Sequence, residues 1–170
     1  MKKFSAAFVA VVICLPALVE AKTLKFPQKH PDFSVTFPSD WKAEITSAGI
    51  ISAQPKGTGY AISIFPVEAT TAQGAIDETM KEVEKRFSDI KSNDLSEFKN
   101  ANGLKFVESD MTGTDNGSAR ALAIVAFSID NQNYFALFQA GTPEADKKYT
   151  QDVVAIVNSI TALNSKRNND

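Results

Sequence analysis

Two carboxylates, Glu108 and Asp110, are the residues of this chain whose spacing best suits chemistry. They alternate with apolar and small residues in a stretch typical of a β-strand, so both side chains should point to one face. Two acids on one face could bind a cation or serve in acid–base catalysis, and crowding would raise their pKa values. The simpler interpretation, which we favour, places them at a water-facing edge or end of the strand, with Arg120 across a hairpin pairing one of them.

Other residue types that carry chemistry are scarce. His30 is the single histidine, it lies in a polar stretch beside Pro31, and it has no partner at metal-ligand spacing. Cys14 is the single cysteine and lies in the apolar N-terminal segment. The glycine-flanked serine of hydrolases and a phosphate-binding loop are absent from the sequence. We therefore predict no catalytic residue, no metal site and no cofactor.

Two aromatic residues are candidates for binding a partner. Trp41 follows Pro38 and could be an exposed anchor, although a lone tryptophan at the end of a strand can instead close the core. Tyr60 ends a glycine-rich turn that joins two β-rich runs, and this hairpin is the other candidate surface. We keep both residues as possible contacts with a partner protein.

The N-terminus has the three parts of a secretory signal peptide. Lys2 and Lys3 precede an apolar run over 4–15, and a small residue, Ala21, stands at the expected cut. The run is shorter than the roughly 20 apolar residues that a membrane-spanning helix needs. Cleavage after Ala21 would make Lys22 the first residue of a periplasmic or secreted protein without a transmembrane anchor.

Composition describes the rest of the chain as one acidic domain. The full chain has a net charge of −2, and removal of the signal peptide, with two lysines and one glutamate, would change it to −3. A nucleic-acid partner is not expected, because such proteins carry a strongly basic surface. We divide the chain into a signal peptide (1–21), a polar leader (22–32), a single domain (33–163) and a polar tail (164–170).

Hydrophobic periodicity predicts an α+β fold. A period of 3.6 residues predicts a helix over 71–91, and Thr142 followed by Pro143 marks the start of a second helix. The last two predicted strands are apolar on both faces and must be covered on both. We therefore expect an antiparallel sheet of about six or seven strands sandwiched between helices. The predicted strands are 33–37, 49–54, 60–67, 95–98, 104–113, 118–129 and 133–140.

The segment 33–41, Phe-Ser-Val-Thr-Phe-Pro-Ser-Asp-Trp, resembles the opening F-x-V-x-F/Y-P-x-x-W of the Mog/PsbP-like superfamily, which includes PsbP-like and DcrB-like exported bacterial proteins. The predicted order of elements is similar to theirs from about 33 to 163. The resemblance implies an α/β/α sandwich and an accessory or interaction protein without an established catalytic site.

Three functions remain open from the sequence. The first is an exported, non-enzymatic accessory module that binds a protein partner of the bacterial envelope. The second is a carrier with a small-ligand pocket between sheet and helix. The third is a hydrolase that uses Glu108 and Asp110.

Overall fold

The structure, a computed structural model, describes residues 21–163. The predicted signal peptide, apart from Ala21, and the predicted polar tail (164–170) lie outside the described residues. The elements in chain order are β1 (Lys22–Phe26), β2 (Phe33–Phe37), β3 (Trp41–Ile45), β4 (Ile51–Pro55), β5 (Ala61–Val67), α1 (Ala72–Val83), β6 (Ser88–Ser92), β7 (Ser96–Lys99), β8 (Lys105–Asp115), β9 (Ser118–Ser128), β10 (Tyr134–Gly141), α2 (Pro143–Ser159) and β11 (Thr161–Ala162).

A large antiparallel sheet forms the centre of the fold. Its strand order is β3-β4-β5-β10-β9-β8-β6, and β7 also pairs with β8, which makes eight strands. The predicted fold class is confirmed, but the sheet is larger than six or seven strands. The additional strands are β3, which begins at Trp41, and β6, most of which was predicted as part of a helix.

The long strand β9 is buried on both faces, as predicted. On one face, Leu122 and Ile124 belong to a core that includes Ile76 of α1. On the other face, Val125 and Phe127 belong to a larger core that includes α2. A strand in the middle of two layers of helices needs apolar residues at successive positions, because no side is left for water.

A second, small sheet packs on the α2 side and corrects the predicted polar leader. Strand β1 pairs with β2, which also pairs with β11, so the small sheet joins the two ends of the described chain. Phe26 is buried against Phe33 and Phe135, with ring centroids 5.6 and 6.2 Å away. The leader prediction was wrong for Lys22–Phe26, because the alternation of Leu24 and Phe26 with polar residues was overlooked.

Helix α1 begins as predicted and ends earlier. Thr71 caps it, since its Oγ1 accepts a hydrogen bond from the Gly74 N–H at 3.0 Å. The helix stops at Val83, and residues 88–92 form β6 instead of continuing to 91. Phe87 lies beyond the end of α1 but packs into the same core, which is why it falls at a helical spacing from the apolar residues of α1. Tertiary packing, and not helical phase, places it there.

Helix α2 is fixed at both ends. Thr142 and Pro143 open it as predicted, and Thr142 Oγ1 accepts from the Ala145 N–H. At its C-terminal end, buried Asn100 donates through Nδ2 to the carbonyls of Val157 and Ile160 at 3.0 and 2.8 Å. Helical carbonyls at that end have no partner within the helix, so the asparagine supplies one.

Candidate functional site

The two aromatic residues proposed as partner contacts lie in the core. Trp41 is 3% exposed and Tyr60 is 0% exposed. Both rings pack edge-on or tilted against Tyr149 of α2, at centroid distances of 5.9 and 5.5 Å. A side chain without exposed surface has nothing to offer a partner directly, so the interpretation of Trp41 and Tyr60 as binding anchors is corrected.

Trp41 and Tyr60 instead position helix α2. Trp41 Nε1 donates to Asp152 Oδ2 at 3.1 Å, and the Tyr60 hydroxyl donates to Asp146 Oδ1 at 3.4 Å. Both acids belong to α2, and both donors belong to the sheet side of the core. These hydrogen bonds fix the distance between α2 and the sheet, and a groove remains beside the helix.

Glu108 and Asp110 share one face of β8, as their spacing predicted, and that face looks toward α2. Glu108 is partly buried and Asp110 is exposed. A third carboxylate, Asp146 of α2, joins them along a groove of about 690 Å³. Gln139 of β10 and Lys91 of β6 also line it. No local pattern indicates Asp146, because it is 36 positions from Asp110 in the sequence and meets it only through packing.

Burial of these acids and their proximity to one another shift their pKa values. Burial, and secondarily the charge of Asp110, raise the pKa of Glu108 above its usual value. Burial also raises the pKa of Asp146, although the hydrogen bond from Tyr60 opposes the rise. Burial and the nearby Asp146 in turn raise the pKa of the Tyr60 hydroxyl well above its ordinary range. The groove therefore holds negative charge at an energetic cost.

No cation of the described residues forms an ion pair with these three acids. Arg120, which was predicted to pair with Glu108 or Asp110, lies opposite Gly113 in the β8–β9 ladder and contacts Asp115 Oδ2 at 3.5 Å. That prediction was wrong because the hairpin register places Ala123 opposite Asp110 and Val125 opposite Glu108, three and five residues beyond Arg120. Within residues 21–163, no group of three His, Cys, Asp or Glu side chains is arranged to hold a metal ion.

An apolar cavity of about 340 Å³ continues the groove along α2. The two cavities share Glu108, Val153 and Val154. Val154 is 54% exposed, and Phe98 of β7, at the far wall, is 36% exposed. We call the combined surface the α2 groove. Its acidic end is formed by Glu108, Asp110, Gln139 and Asp146, and its apolar end by Phe98, Val125, Val153, Val154 and Val157, with Lys99 and Asn158 as the polar residues of that end.

The space directly between α2 and the sheet is filled. Phe33 contacts Phe127 and Phe135 at centroid distances of 5.4 and 5.0 Å, in edge-on geometry. These aromatics pack on one another and line neither cavity of the α2 groove. The groove is thus an open surface feature along the helix, not an internal pocket lined by the aromatic core.

Among residues 21–163, no helix is long and apolar enough to cross a membrane.

Comparisons with known proteins identify relatives in structure and none in sequence. No protein-family model matches the chain, and no curated protein matches it. Several solved structures match over most of their length. Cyanobacterial PsbP (CyanoP) from Synechocystis has 8% sequence identity and a TM-score of 0.63, covering 92% of this chain and 98% of that one.

Two further structures have the same architecture. LpqN, described as involved in cell envelope biogenesis of Mycobacterium tuberculosis, has 17% identity and a TM-score of 0.56, covering 83% of this chain and 90% of its own. Protein PA94 from Pseudomonas aeruginosa has 10% identity and a TM-score of 0.56, covering 85% and 99%. At such identities the similarity establishes the fold and not the activity.

Proposed function

The chain has the PsbP-like fold, and from this premise we propose that it is an exported, non-enzymatic accessory module of the cell envelope that binds a protein partner. One observation carries the proposal. The α2 groove exposes a valine-rich wall beside carboxylates that have no ion-pair partner among the described residues. Exposed apolar area rimmed by polar groups is typical of interaction surfaces. LpqN, whose description refers to the cell envelope, supports the envelope setting.

Export is the second part of the proposal, and the position of β1 supports a cut between Ala21 and Lys22. Strand β1 begins at Lys22, so a cut after Ala21 keeps the entire strand in the mature protein. Phe26, at the end of β1, is buried, and the Lys22 ammonium donates to the Ala43 carbonyl. A cut several residues later would remove a core side chain.

Fractionation and N-terminal sequencing test the export. The full chain with a C-terminal tag is expressed in a bacterial host, and we expect the tagged protein outside the cytoplasm with Lys22 as its first residue. A matched variant, Ala21→Leu, should accumulate as precursor, because signal peptidase needs a small residue at the cut. Recovery of uncleaved protein from the cytoplasm would refute this part of the proposal.

Affinity purification after light cross-linking, in the cells that naturally make the protein, tests the partner. The tagged mature protein should retain one reproducible envelope protein that is absent from a tag-only control. Failure to recover any reproducible partner under several growth conditions would refute the proposed interaction role.

A small-ligand carrier is the second candidate, because the acidic and apolar cavities have the size of ligand sites. Native mass spectrometry of the protein purified from its own envelope distinguishes the two functions. A co-purified small molecule, without a protein partner, would favour the carrier. The hydrolase alternative has less support, because the groove that holds both acids is open to water and Asp110 is exposed in it.

A further inference from the structure

We propose that the α2 groove is the docking site of the partner, and that it takes a polypeptide segment in which a lysine or arginine is next to apolar residues. The inference rests on the proposed interaction role and adds the location and the chemistry of the recognised segment.

The acidic end of the groove offers acceptors and few donors. Glu108 and Asp110 have no side-chain hydrogen bond among the described residues, and Gln139 Oε1 is buried without a partner. The amide Nε2 of Gln139 is already used, since it donates to Asp146 Oδ1 at 3.4 Å. Two lysines line the groove, Lys91 at the acidic end and Lys99 at the apolar end, and neither forms an ion pair with these acids. A donor-rich cation would satisfy several of these acceptors at once.

The geometry favours an organic cation over a metal ion. In the described part of the chain no three acidic side chains converge as metal ligands would. The acids instead follow the groove, with Glu108 and Asp110 on β8 and Asp146 across from them on α2. An ammonium or guanidinium on a flexible stem can reach separated carboxylates, because its charge does not need a closed coordination shell.

The apolar end distinguishes a polypeptide from a small polyamine. It adjoins Glu108 directly, and its wall contains Val154, one of the most exposed large apolar side chains of the described residues. A polyamine has only short methylene spacers between its charges and no apolar side chain to cover this wall. A segment with a basic side chain followed by leucine, valine or phenylalanine can cover both ends of the groove at once.

The outer face of α1 provides a contrast and a control surface. Its charges include both signs, and Lys85 pairs with Glu82 at 2.6 Å. Asp77 already accepts a hydrogen bond from Gln73 at 2.8 Å. An apolar cavity of about 210 Å³ lies beside Glu82, but Asp77 and Glu84 do not line it, so removal of these two charges should not affect the partner.

A peptide-binding measurement tests the chemistry directly. The probe is a short fluorescent peptide in which lysines alternate with leucines, compared with one that has glutamate for lysine and one that has serine for leucine. We expect fluorescence anisotropy to detect binding of the first alone. The charge-removing double variant Glu108→Gln/Asp110→Asn should weaken it about tenfold, since exposed ion pairs typically change an affinity about two- to fivefold each. The control Asp77→Asn/Glu84→Gln removes the same charge from the α1 side and should bind as the unmodified protein does.

Photo-cross-linking in the native envelope tests the location. A photoreactive amino acid replaces Val154, in the groove, or Lys81, on the outer face of α1. We expect a protein adduct from position 154 and none from position 81, with the adduct mapped to a basic–apolar segment of the partner. Both positions are exposed, so the substitutions should leave the fold intact.

The peptide-binding and cross-linking experiments distinguish failure of this inference from failure of the proposed function. A partner that cross-links at position 81 and not at 154 overturns the groove as docking site and leaves the interaction role standing. An adduct at 154 that maps to an acidic or uncharged segment overturns the proposed chemistry. Equal binding of spermine or Ca²⁺ and of the lysine–leucine peptide, or peptide binding that survives Glu108→Gln/Asp110→Asn, overturns the recognition of a polypeptide.

Discussion

The two faces of the large sheet are built differently, and the difference indicates where function lies. On one face α1 covers β8, β9 and β10 with a compact core, and its outer surface carries paired charges. On the other face the small sheet and α2 share the cover, and the side of α2 next to β7 and β8 stays open. The small sheet contributes no residue to the α2 groove, which lies where α2 leaves part of β8 uncovered.

The two faces also depend on different structural features. The α1 face needs a helix cap and an apolar stripe. The α2 face needs strand β1, the buried side chain of Asn100 and the close approach of the Gly141 backbone to the Tyr60 ring. Substitutions of Phe26, Asn100 and Gly141 test these features, and a substitution of Glu108 tests the acidic end of the α2 groove.

Phe26→Ala should have the largest effect, because Phe26 attaches β1 to the α2-side core. We expect a loss of about 3–5 kcal/mol in the free energy of unfolding, the usual cost of truncating a buried phenylalanine. Urea unfolding followed by circular dichroism measures it. Lys25→Ala, at the neighbouring exposed position, should change stability by no more than about 0.5 kcal/mol. Equal stability of the two variants would mean that β1 contributes nothing to the fold.

Asn100→Ala should cost about 2–3 kcal/mol, because it removes the two hydrogen bonds to the carbonyls of Val157 and Ile160 and the acceptor for two loop N–H groups, those of Asn102 and Leu104. Asn100→Asp keeps the shape and loses both donors, and it adds a negative charge at the C-terminal end of α2. It should therefore be at least as destabilising as alanine. Recovery of stability in the aspartate variant would contradict the capping role.

Gly141→Ala should cost about 1–3 kcal/mol, because a Cβ there would overlap the Tyr60 ring, which packs against α2. The matched substitution on the other side of the comparison is Gly113→Ala. Its Cβ would meet the Ser88 carbonyl at 3.2 Å and Leu122 at 3.3 Å, which smaller movements can relieve. Thermal unfolding of both variants should show the larger loss at Gly141, and a reversed order would show that the α2 face is the looser one.

Glu108→Gln should raise stability near neutral pH by roughly 0.5 kcal/mol, the smallest of these effects. The folded protein raises the pKa of Glu108 above the ordinary 4.5, so the folded state binds its proton more readily than the unfolded state does. The ionised form therefore destabilises the fold at pH values above the raised pKa, and the penalty disappears as the pH falls below 4.5. Charged groups facing Glu108 are Asp110 on its own strand, Asp146 on α2, Lys91 on β6 and Lys99 on β7.

Urea unfolding as a function of pH checks the sign of this prediction. The advantage of the glutamine variant should be greatest near neutrality and should vanish in acid. A glutamine variant less stable than the parent at neutral pH would mean that Glu108 has a stabilising partner, contrary to the open acidic groove.

Much of the fold followed from local patterns. The Asn116-Gly117 turn, where both residues have positive φ, joins β8 to β9 as its dipeptide predicts. The caps of both helices and the two-sided burial of β9 were also predictable, since caps and periodicity depend on neighbours in sequence. The helical pattern over 71–91 was misleading, because Phe87 enters the same core from beyond the helix end.

Part of the candidate site was predictable as well. The two-residue period of β8 placed Glu108 and Asp110 on one face, and that prediction holds. Asp146 and the hydrogen bonds of Trp41 and Tyr60 to α2 were missed, because they connect residues far apart in the chain. Arg120 was assigned to the wrong acid because the hairpin register, and not proximity in sequence, decides which strand positions face each other.

The sequence by itself determined the α+β class, the turns, the helix starts and the shared face of the two acids, because each depends on side chains within one turn or one strand period. The tertiary structure decided whether Trp41 and Tyr60 face a partner or the core, which acid joins Glu108 and Asp110, and that a groove remains beside α2. These three features depend on how the helices pack on the sheet. That packing joins residues far apart in the chain, and no local sequence pattern predicts it.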